Sequence, residues 1–270
     1  MPEIILRTSY LAGWTDCPRR NAAKAFRKII ADARYVLPET KRIVSSAVGT
    51  GVHAGAKHIL SEKKESRTAR ISDAIEQSIE AFREETADGV DYDKITASRN
   101  DAEKQLKRMT ETYNTVVAPR IIPIDIEHRI EGVAPQEITL TGQPDVFESA
   151  SVRDLKTGRS GQKYHAQLGG YSLLAKANGI TTPKIAVVDW LPRTSMTKSQ
   201  VPPISFTYDV AVCEAEAKAV LKEVTREISE FIASGNPAVF PTNTNSILCS
   251  ETYCSAFGTD FCPISKTIVK

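Results

Sequence analysis

Two segments with the pattern of neighbouring strands bring two carboxylates and a lysine together. The first segment contains Gly142-Gln-Pro-Asp145, and the second carries Asp154-Leu-Lys156. Asp154 and Lys156 are two positions apart, so their side chains point to the same face of an extended strand. Only a short turn at Ser149–Ser151 joins the two segments, which predicts a hairpin. The chain is therefore expected to contain a sheet that gathers these three side chains in one place.

The remainder of the chain changes from a helical to a β-rich pattern near residue 118. Helices are predicted from the 3.6-residue spacing of apolar positions over residues 10–34 (with a break at Pro18), 44–62, 69–88, 98–117, 164–178 and 211–234. Strands are predicted over residues 121–130, 137–148, 152–156, 184–191 and 204–210. This order predicts an α/β fold with a mixed β-sheet flanked by helices.

Length and composition suit one large domain with a substantial core. The chain has 270 residues, 41% of them hydrophobic and 25% charged. We therefore expect a single domain over 1–270, in which a mainly helical N-terminal region (1–118) precedes a core (119–238) and an irregular cysteine-rich tail (239–270).

Charge and hydropathy narrow the function classes. The net charge is +2, yet residues 1–43 carry nine Lys or Arg against four acidic residues. This local excess indicates either a phosphate-facing surface or a solvated helix face. The sequence contains no run of about eighteen apolar residues, so no membrane-spanning helix is predicted. No hydrophobic signal core follows the N-terminus. A cytoplasmic location is expected, where five cysteines favour metal binding or burial over disulfides.

Asp145 and Asp154 together form a candidate site for a divalent metal. Mg²⁺ takes oxygen ligands and is commonly held by one or two carboxylates, with waters and substrate phosphate completing the shell. The backbone carbonyl of Leu155 could add a third ligand. Upstream, His53 in Gly49-Thr-Gly-Val-His53 offers an imidazole, which favours Mn²⁺ as a working substitute. Lys156 would orient or deprotonate the attacking water and stabilise charge on a phosphate.

Gln167 and Tyr171 extend this polar set. They are one helical turn apart in Gln167-Leu-Gly-Gly-Tyr171 and so share a face of the predicted helix. Each candidate also has an ordinary structural explanation, as an exposed strand residue, a helix start or a plain helix face. The joint occurrence of all of them in this order is what favours a metal site.

This order of motifs resembles the RecB-like branch of the PD-(D/E)XK nuclease superfamily, which includes the RecB and AddB nuclease domains, CRISPR adaptation nucleases and phage exonucleases. The family pattern falls on His53, on Gly142 with Asp145, on Asp154 with Lys156, and on Gln167 with Tyr171. The resemblance implies a restriction-endonuclease-like core in which His53, Asp145 and Asp154 bind Mg²⁺ or Mn²⁺. It implies that Lys156 is the catalytic lysine and that Gln167 and Tyr171 contact DNA or order the site.

Glu127 lies before the hairpin, where relatives often have an acid. It is interpreted either as an addition to the metal site or as an exposed strand residue.

The cysteines are split between the two ends of the chain. Four thiolates can hold zinc or an iron–sulfur cluster, but the close Cys-x-x-Cys pairs of a zinc ribbon are missing. One cysteine before the core and three after it resemble the iron–sulfur staple of AddB-type nucleases. The resemblance implies a [4Fe–4S] cluster, with zinc as the alternative, on Cys17, Cys249, Cys254 and Cys262. The fifth cysteine, Cys213, is expected to be a small buried apolar residue.

The leading expectation is a metal-dependent DNA exonuclease of recombination, repair or phage DNA processing. The chain lacks a Gly-x-x-x-x-Gly-Lys-Ser/Thr loop, so it has no motor of its own and could act beside a single-strand annealing protein or a helicase. A CRISPR adaptation nuclease working with an integrase is an alternative within the same class. A DNA-binding module that has lost catalysis is an alternative from another class, against which the intact Asp145, Asp154 and Lys156 argue. A sequence-specific restriction enzyme is less favoured, because no target-recognition domain is evident.

Overall fold

The N-terminal half of the chain is mainly helical. The computed structural model describes residues 4–133, 138–158, 164–180 and 183–264. A short strand, β1 (Ile5–Arg7), precedes six helices, namely α1 (Thr8–Trp14), α2 (Pro18–Ala25), α3 (Arg27–Asp32), α4 (Val44–Lys64), α5 (Ile71–Glu85) and α6 (Arg99–Thr112). A π-helical turn (Tyr113–Val117) and a 3₁₀ turn (Ala118–Arg120) follow α6.

The helix predicted over 10–34 is three short helices. Pro18 begins α2 at its first turn, where a missing N–H costs no intrahelical bond. The backbone leaves helical geometry again at Phe26, between α2 and α3. The predicted break at Pro18 is therefore correct, and the second break carried no sequence signal.

The C-terminal half supplies most of the strands and two long helices. In chain order these are β2 (Asp125–Ile126), β3 (Ile130–Val133), β4 (Thr139–Gly142), β5 (Val146–Phe147), β6 (Ser151–Lys156), α7 (His165–Ala177), β7 (Ile185–Trp190), β8 (Ile204–Asp209) and α8 (Val210–Ser234). Helix α8 starts at Asp209, whose carboxylate accepts the N–H of Ala211 at 2.7 Å, and stops at Gly235 with a left-handed φ of 65°.

The strands form two mixed sheets, which confirms the predicted α/β class. A small sheet has the order β1-β4-β3, and a five-stranded sheet has the order β2-β5-β6-β7-β8. Strand β6 pairs in parallel with β7 and antiparallel with β5, so it lies inside the larger sheet. Helices α7 and α8 pack on each other and over the strands around one large apolar cluster. A second cluster joins α4, α5 and α6.

Two strand predictions were wrong. The segment 121–130 is mostly irregular, because Pro123 within it has no N–H for a ladder and Glu127 has a left-handed φ of 46° that interrupts an extended chain. The strand predicted over 137–148 is two strands in different sheets, separated at Gln143–Asp145, where Pro144 has no N–H to donate to a ladder. The predicted start of that strand at Glu137 lies outside the described residues. Asp145 therefore lies where the chain crosses from one sheet to the other.

Two close approaches fix the packing around this crossing. A Cβ on Gly142 would lie 2.8 Å from Cδ1 of Leu174 and 2.9 Å from Oγ1 of Thr8. A Cβ on Gly169 would lie only 2.0 Å from the carbonyl oxygen of Cys213, so α7 and α8 meet backbone to backbone. Among the described helices, none combines the length and apolar character needed to cross a bilayer.

Candidate active site

The hairpin β5–β6 places Asp145 and Asp154 opposite each other. Val146 pairs with Arg153, and one further step in this register brings Asp145 beside Asp154. The Oδ2 atom of Asp145 accepts a hydrogen bond from the backbone N–H of Leu155, while Oδ1 lies 2.9 Å from Nδ1 of His53 on α4. One side chain thus connects β6 to the long helix α4.

The second carboxylate, Asp154, is held by the helix α7. Its Oδ1 atom accepts from Nε2 of Gln167 at 3.1 Å and from the hydroxyl of Tyr171 at 3.4 Å. Gln167 also donates to the Tyr171 hydroxyl at 2.8 Å, so the two residues that share a helix face act on one oxygen. Asp154 is only 3% exposed. The predicted set of polar residues is thereby brought together around two carboxylates.

Lys156 completes the set from the same face of β6. Its Nζ lies 2.5 Å from Oδ2 of Asp154 and 5.0 Å from the centroid of the Tyr164 ring. Oδ2 of Asp154 is buried and lacks a well-aligned hydrogen-bond donor within the described ranges, so the ammonium charge is its main neighbour. A buried carboxylate oxygen without an aligned hydrogen-bond donor can still coordinate a cation.

The two aspartates differ in acidity although they lie side by side. Burial disfavours the charged form of Asp145, but His53 and Lys156 outweigh it and lower the pKa of that carboxyl. For Asp154, burial is the largest influence, and the neighbouring charge of Asp145 adds to it, so its pKa is raised despite Lys156. Burial likewise disfavours the charged forms of His53 and Lys156, yet the carboxylates raise the pKa of both. The site therefore concentrates negative charge that a cation can neutralise.

A three-residue group of metal-binding character lies at the edge of this site. One ligand atom each from His53, Glu127 and Asp145 lies within 4.8 Å of the others, a grouping that no other His, Cys, Asp or Glu in the described ranges forms. Two carboxylates and an imidazole suit Mg²⁺ or Mn²⁺. The residues present therefore fit the divalent metal that the motif implies.

Glu127 reaches this group through an unusual backbone conformation. Its left-handed φ of 46° is rare for a residue with a side chain and costs about 1–3 kcal/mol. The backbone N–H of Glu127 donates to the carbonyl of Asp145 at 3.1 Å, and its carboxylate lies 2.9 Å from Nζ of Lys57. Sequence analysis left the role of Glu127 open between a metal ligand and an exposed residue. Lys57 was missed, although it lies one helical turn from His53 and so shares its face.

The other two predicted ligands have different surroundings. The oxygens of Asp154 lie against Lys156, Gln167 and Tyr171, and Asp154 is not a member of the three-residue group. The carbonyl of Lys156 accepts from Leu191 on the β7 side, so the carbonyl of Leu155, one residue earlier, points to the opposite edge, toward Asp145.

Two cavities meet at these residues. A groove of about 1180 Å³ runs between α1 and α2, the first half of α4 and the tail at 243–248. A smaller pocket of about 340 Å³ opens toward β1, β4 and the segment before β3. Both cavities are lined by Ser9, His53, Lys156 and Gln167. The catalytic candidates therefore lie at the junction of a long groove and a short pocket.

The larger cavity carries basic side chains from the helical region. Arg20, Lys24 and Lys57 line it together with Lys156. Burial, followed by the charge of Arg20, lowers the pKa of Lys24. Some of the basic residues of the N-terminal region therefore face a cavity that leads to the metal-site residues, as expected for a phosphate-facing surface.

The four predicted thiol ligands lie close enough for their charges to influence one another, but within the described ranges no three of them come as close together as the His53 group. Cys17 precedes α2, and the other three lie in the turns of the tail; Cys17, Cys254 and Cys262 are buried, and none of the four is in a disulfide. Burial and then the proximity of Cys17 and Cys262 raise the pKa of Cys249, and burial and then Cys262 and Cys17 do so for Cys254.

The fifth cysteine, Cys213, is fully buried in the large apolar cluster, and burial raises its pKa to about 11, as an inert apolar residue requires.

A model of the PD-(D/E)XK nuclease superfamily matches residues 8–259. The chain belongs to this superfamily, which confirms the resemblance carried by the motifs. None of the curated proteins matches the chain significantly.

Two solved structures are similar to the chain at low identity. One is a candidate exonuclease from Eubacterium rectale, with 13% identity and a TM-score of 0.48, covering 86% of this chain and 82% of that one. The other is LHK-Exo in complex with dAMP, with 10% identity and a TM-score of 0.31, covering 69% of this chain and 96% of that one.

Proposed function

We propose that the protein is a divalent-metal-dependent DNA exonuclease that acts in recombination, repair or phage DNA processing. The observation that carries the proposal is the convergence of His53, Asp145, Asp154 and Lys156 where a basic groove meets a short pocket. A junction of this kind suits a strand that enters along the groove and ends just beyond the reacting bond. Membership of a nuclease superfamily is consistent with this interpretation.

The residues at the junction have different proposed roles in phosphodiester hydrolysis. Mg²⁺ or Mn²⁺, when bound, lowers the pKa of water and polarises the phosphoryl oxygen. His53, Asp145 and Asp154, with the carbonyl of Leu155, are the proposed ligands, and Glu127 is added to them on the strength of its position beside His53 and Asp145. In the reaction the oxygen of water joins phosphorus, the bridging P–O bond breaks, and the leaving oxygen takes up a proton.

Lys156 is proposed as the cation that meets the scissile phosphate and orients the water. Its raised pKa keeps it charged, and Asp154 fixes its position from 2.5 Å away. Gln167 and Tyr171 hold the other oxygen of Asp154 and thereby fix the carboxylate that positions Lys156.

The test is a cleavage assay on end-labelled linear DNA and on covalently closed circles, with Mg²⁺, Mn²⁺ or chelator. We expect loss of linear DNA only, and a decrease of about 10²–10⁴-fold in Lys156→Ala with DNA binding retained. Lys222→Ala on the exposed face of α8 is the matched control and should cleave normally. Nicking of closed circles would indicate an endonuclease, and DNA binding without cleavage under any metal would indicate a catalytically inactive module.

We also propose that Cys17, Cys249, Cys254 and Cys262 hold a [4Fe–4S] cluster, with zinc as the alternative, in a protein of the cytoplasm. The proximity of the four thiols and the turn-rich tail that three of them occupy support this interpretation. The cluster would crosslink the tail to the residue before α2. The proposed single domain over 1–270 would then include the tail. The proposed partners are a single-strand annealing protein, a helicase or an integrase, which would supply strand annealing, a motor or DNA integration.

Metal analysis of protein purified without oxygen tests the cluster. We expect iron and sulfide in near-equal amounts and visible absorbance, both lost in Cys17→Ala and retained in Cys213→Ala. Zinc without iron would favour the alternative. A Cys17→Ala protein that stays folded, colourless and fully active would contradict a staple of either kind.

A further inference from the structure

The short pocket beside the catalytic candidates has a basic character of its own. It has a volume of about 340 Å³, and the residues that it does not share with the groove or the catalytic set include Arg7, Thr8, Arg129, Thr141 and Gln143. A volume of this size lies at the lower end of the range for small-ligand sites, which runs from about 300 to 1,000 Å³. The pocket can therefore receive about one nucleotide rather than a length of strand.

The two arginines are free to bind an anion. Both are exposed, and neither has an ion pair or a side-chain hydrogen bond to any residue in the described ranges. Arg7 ends β1 and is in register with Thr141 of β4, so these two side chains share a face of the small sheet. Glu131 of β3 is also in register with Thr141 but does not line the pocket.

The set of donors suits a phosphate group. A guanidinium presents several N–H donors in a planar fork, and arginine–phosphate pairs are strong because they are charged and often bidentate. The hydroxyl of Thr141 and the amide of Gln143 offer further neutral donors in the same pocket, whereas the hydroxyl of Thr8 is hydrogen-bonded to Tyr171. Two cations are well matched to a phosphate monoester, which carries a charge of about −1.5 to −2 at neutral pH.

The chemistry of a DNA end decides which terminus fits. At a phosphorylated 5′ end, the terminal nucleoside beyond the reacting bond carries a phosphate monoester. At a 3′ end, the terminal nucleoside beyond the reacting bond carries only a neutral hydroxyl. Two unpaired arginines next to a catalytic centre are therefore explained by the first kind of end and not by the second.

We propose that the short pocket binds the 5′-terminal nucleotide of a DNA strand and that Arg7 and Arg129 bind its terminal phosphate. The protein then degrades DNA from 5′-phosphorylated ends, and the remainder of the strand lies in the groove. This inference rests on the proposed nuclease function, because it assigns the two cavities to the two sides of the reacting bond. Arg7 and Arg129 are binding residues, since they are placed to contact the terminal phosphate and not the reacting atoms.

The experiment compares cleavage rates of one oligonucleotide carrying a 5′-phosphate, a 5′-hydroxyl or a 3′-phosphate, each labelled internally. We expect the wild-type protein to prefer the 5′-phosphorylated strand by about 10- to 100-fold, the range for a charged hydrogen-bonding partner. Arg7→Ala and Arg129→Ala should each reduce the ratio of the two rates toward one, and Arg129→Lys should retain some of the preference. Arg70→Ala, an exposed arginine that lines neither cavity, should keep the wild-type ratio.

The outcomes separate the two proposals. Equal wild-type rates on 5′-phosphate and 5′-hydroxyl ends, or degradation only from 3′ ends, would overturn the pocket assignment and leave the nuclease intact. An unchanged ratio in both alanine variants would overturn the role of the arginines. The absence of cleavage on every linear substrate would instead overturn the proposed function on which the inference depends.

Discussion

The catalytic hairpin and the cysteine-rich tail are positioned in opposite ways. Strand β6 pairs with β5 on one side and along six residues with β7 on the other, and five of its six residues are buried. The tail from Pro241 to Ile264 contains no α-helix and no sheet strand among its described residues, only turns, bends, isolated bridges and a 3₁₀ stretch at its end. Backbone ladders therefore fix the hairpin, whereas side-chain contacts fix the tail.

Those side-chain contacts are few and identifiable. Arg19 donates to the carbonyl of Phe240 at 3.1 Å, and Asp16 accepts from Asn243 at 3.2 Å and from Ser246 at 2.7 Å. Phe261 packs edge-on against Tyr35 and Phe231 of α8, and its ring is tilted by 45° against Phe240 in the segment after α8. A ladder loses little when one side chain changes, while the tail depends on each contact. Three of the four thiols lie in this tail, and the fourth, Cys17, directly precedes α2.

The largest effect is expected from the charge pair that crosses the larger sheet. Arg153 on β6 donates twice to Asp189 on β7, at 2.9 Å each, and both residues are buried. Asp189→Ala leaves a buried guanidinium that keeps only Glu148 as an ion-pair partner among the described residues. We expect the free energy of unfolding to fall by about 3–5 kcal/mol in urea titrations. Glu230→Ala, which breaks an exposed pair with Arg226, should cost about 0.3–0.5 kcal/mol.

A smaller but clear effect is expected at the contact between α7 and α8. In Gly169→Ala the new Cβ would meet the backbone of Cys213, so the helices must separate. We expect a loss of about 1–3 kcal/mol, the usual cost of overpacking, and a weaker hold of Gln167 on Asp154. Gly158→Ala, where a new Cβ would meet none of the described residues within 4 Å, is the matched control. Equal stability of the two variants would contradict the packing described.

The sequence predicted best what local pattern determines. The helices expected over 44–62, 164–178 and 211–234 and the strands expected over 152–156 and 204–210 match to within about two residues at each end. Their apolar periodicity and stop signals such as Gly235 lie within the segment itself. His53, Asp154, Lys156, Gln167 and Tyr171 come together because each lies on one of these well-determined elements, whereas Asp145 lies in the crossing between β4 and β5, within a strand prediction that was wrong.

The features that could not be predicted from the sequence depend on residues that are distant in the chain. Strand β1 exists only because it pairs with β4, more than one hundred residues away, and no local pattern marks it. The opposite pKa shifts of Asp145 and Asp154 arise from different neighbours after folding. Arg7 and Arg129 carry no motif, and only the fold brings them to one pocket.

The smallest expected effect concerns the polar contacts that hold the tail. Asp16 connects Arg20, Asn243 and Ser246, so Asp16→Asn removes the charge while keeping the shape. We expect the tail to be cut about fivefold faster in native-state proteolysis at neutral pH, equivalent to about 1 kcal/mol for one charged contact. Asp32→Asn, an exposed change at the end of α3, should be cut at the wild-type rate.

The pH dependence of that difference gives the sharper test. Burial opposes the charge of Asp16, but Ser246 and Arg20 outweigh it and lower its pKa below the ordinary 3.8. A carboxyl with a lowered folded pKa stabilises the folded state above its unfolded pKa and loses that contribution as the pH falls through the folded value. The wild type and Asp16→Asn should therefore be cut at different rates by thermolysin at neutral pH, and their rates of cleavage by pepsin should converge as the pH falls through the lowered pKa of Asp16. A difference that persists unchanged in acid would show that the shape of this side chain, and not its charge, holds the tail against α2.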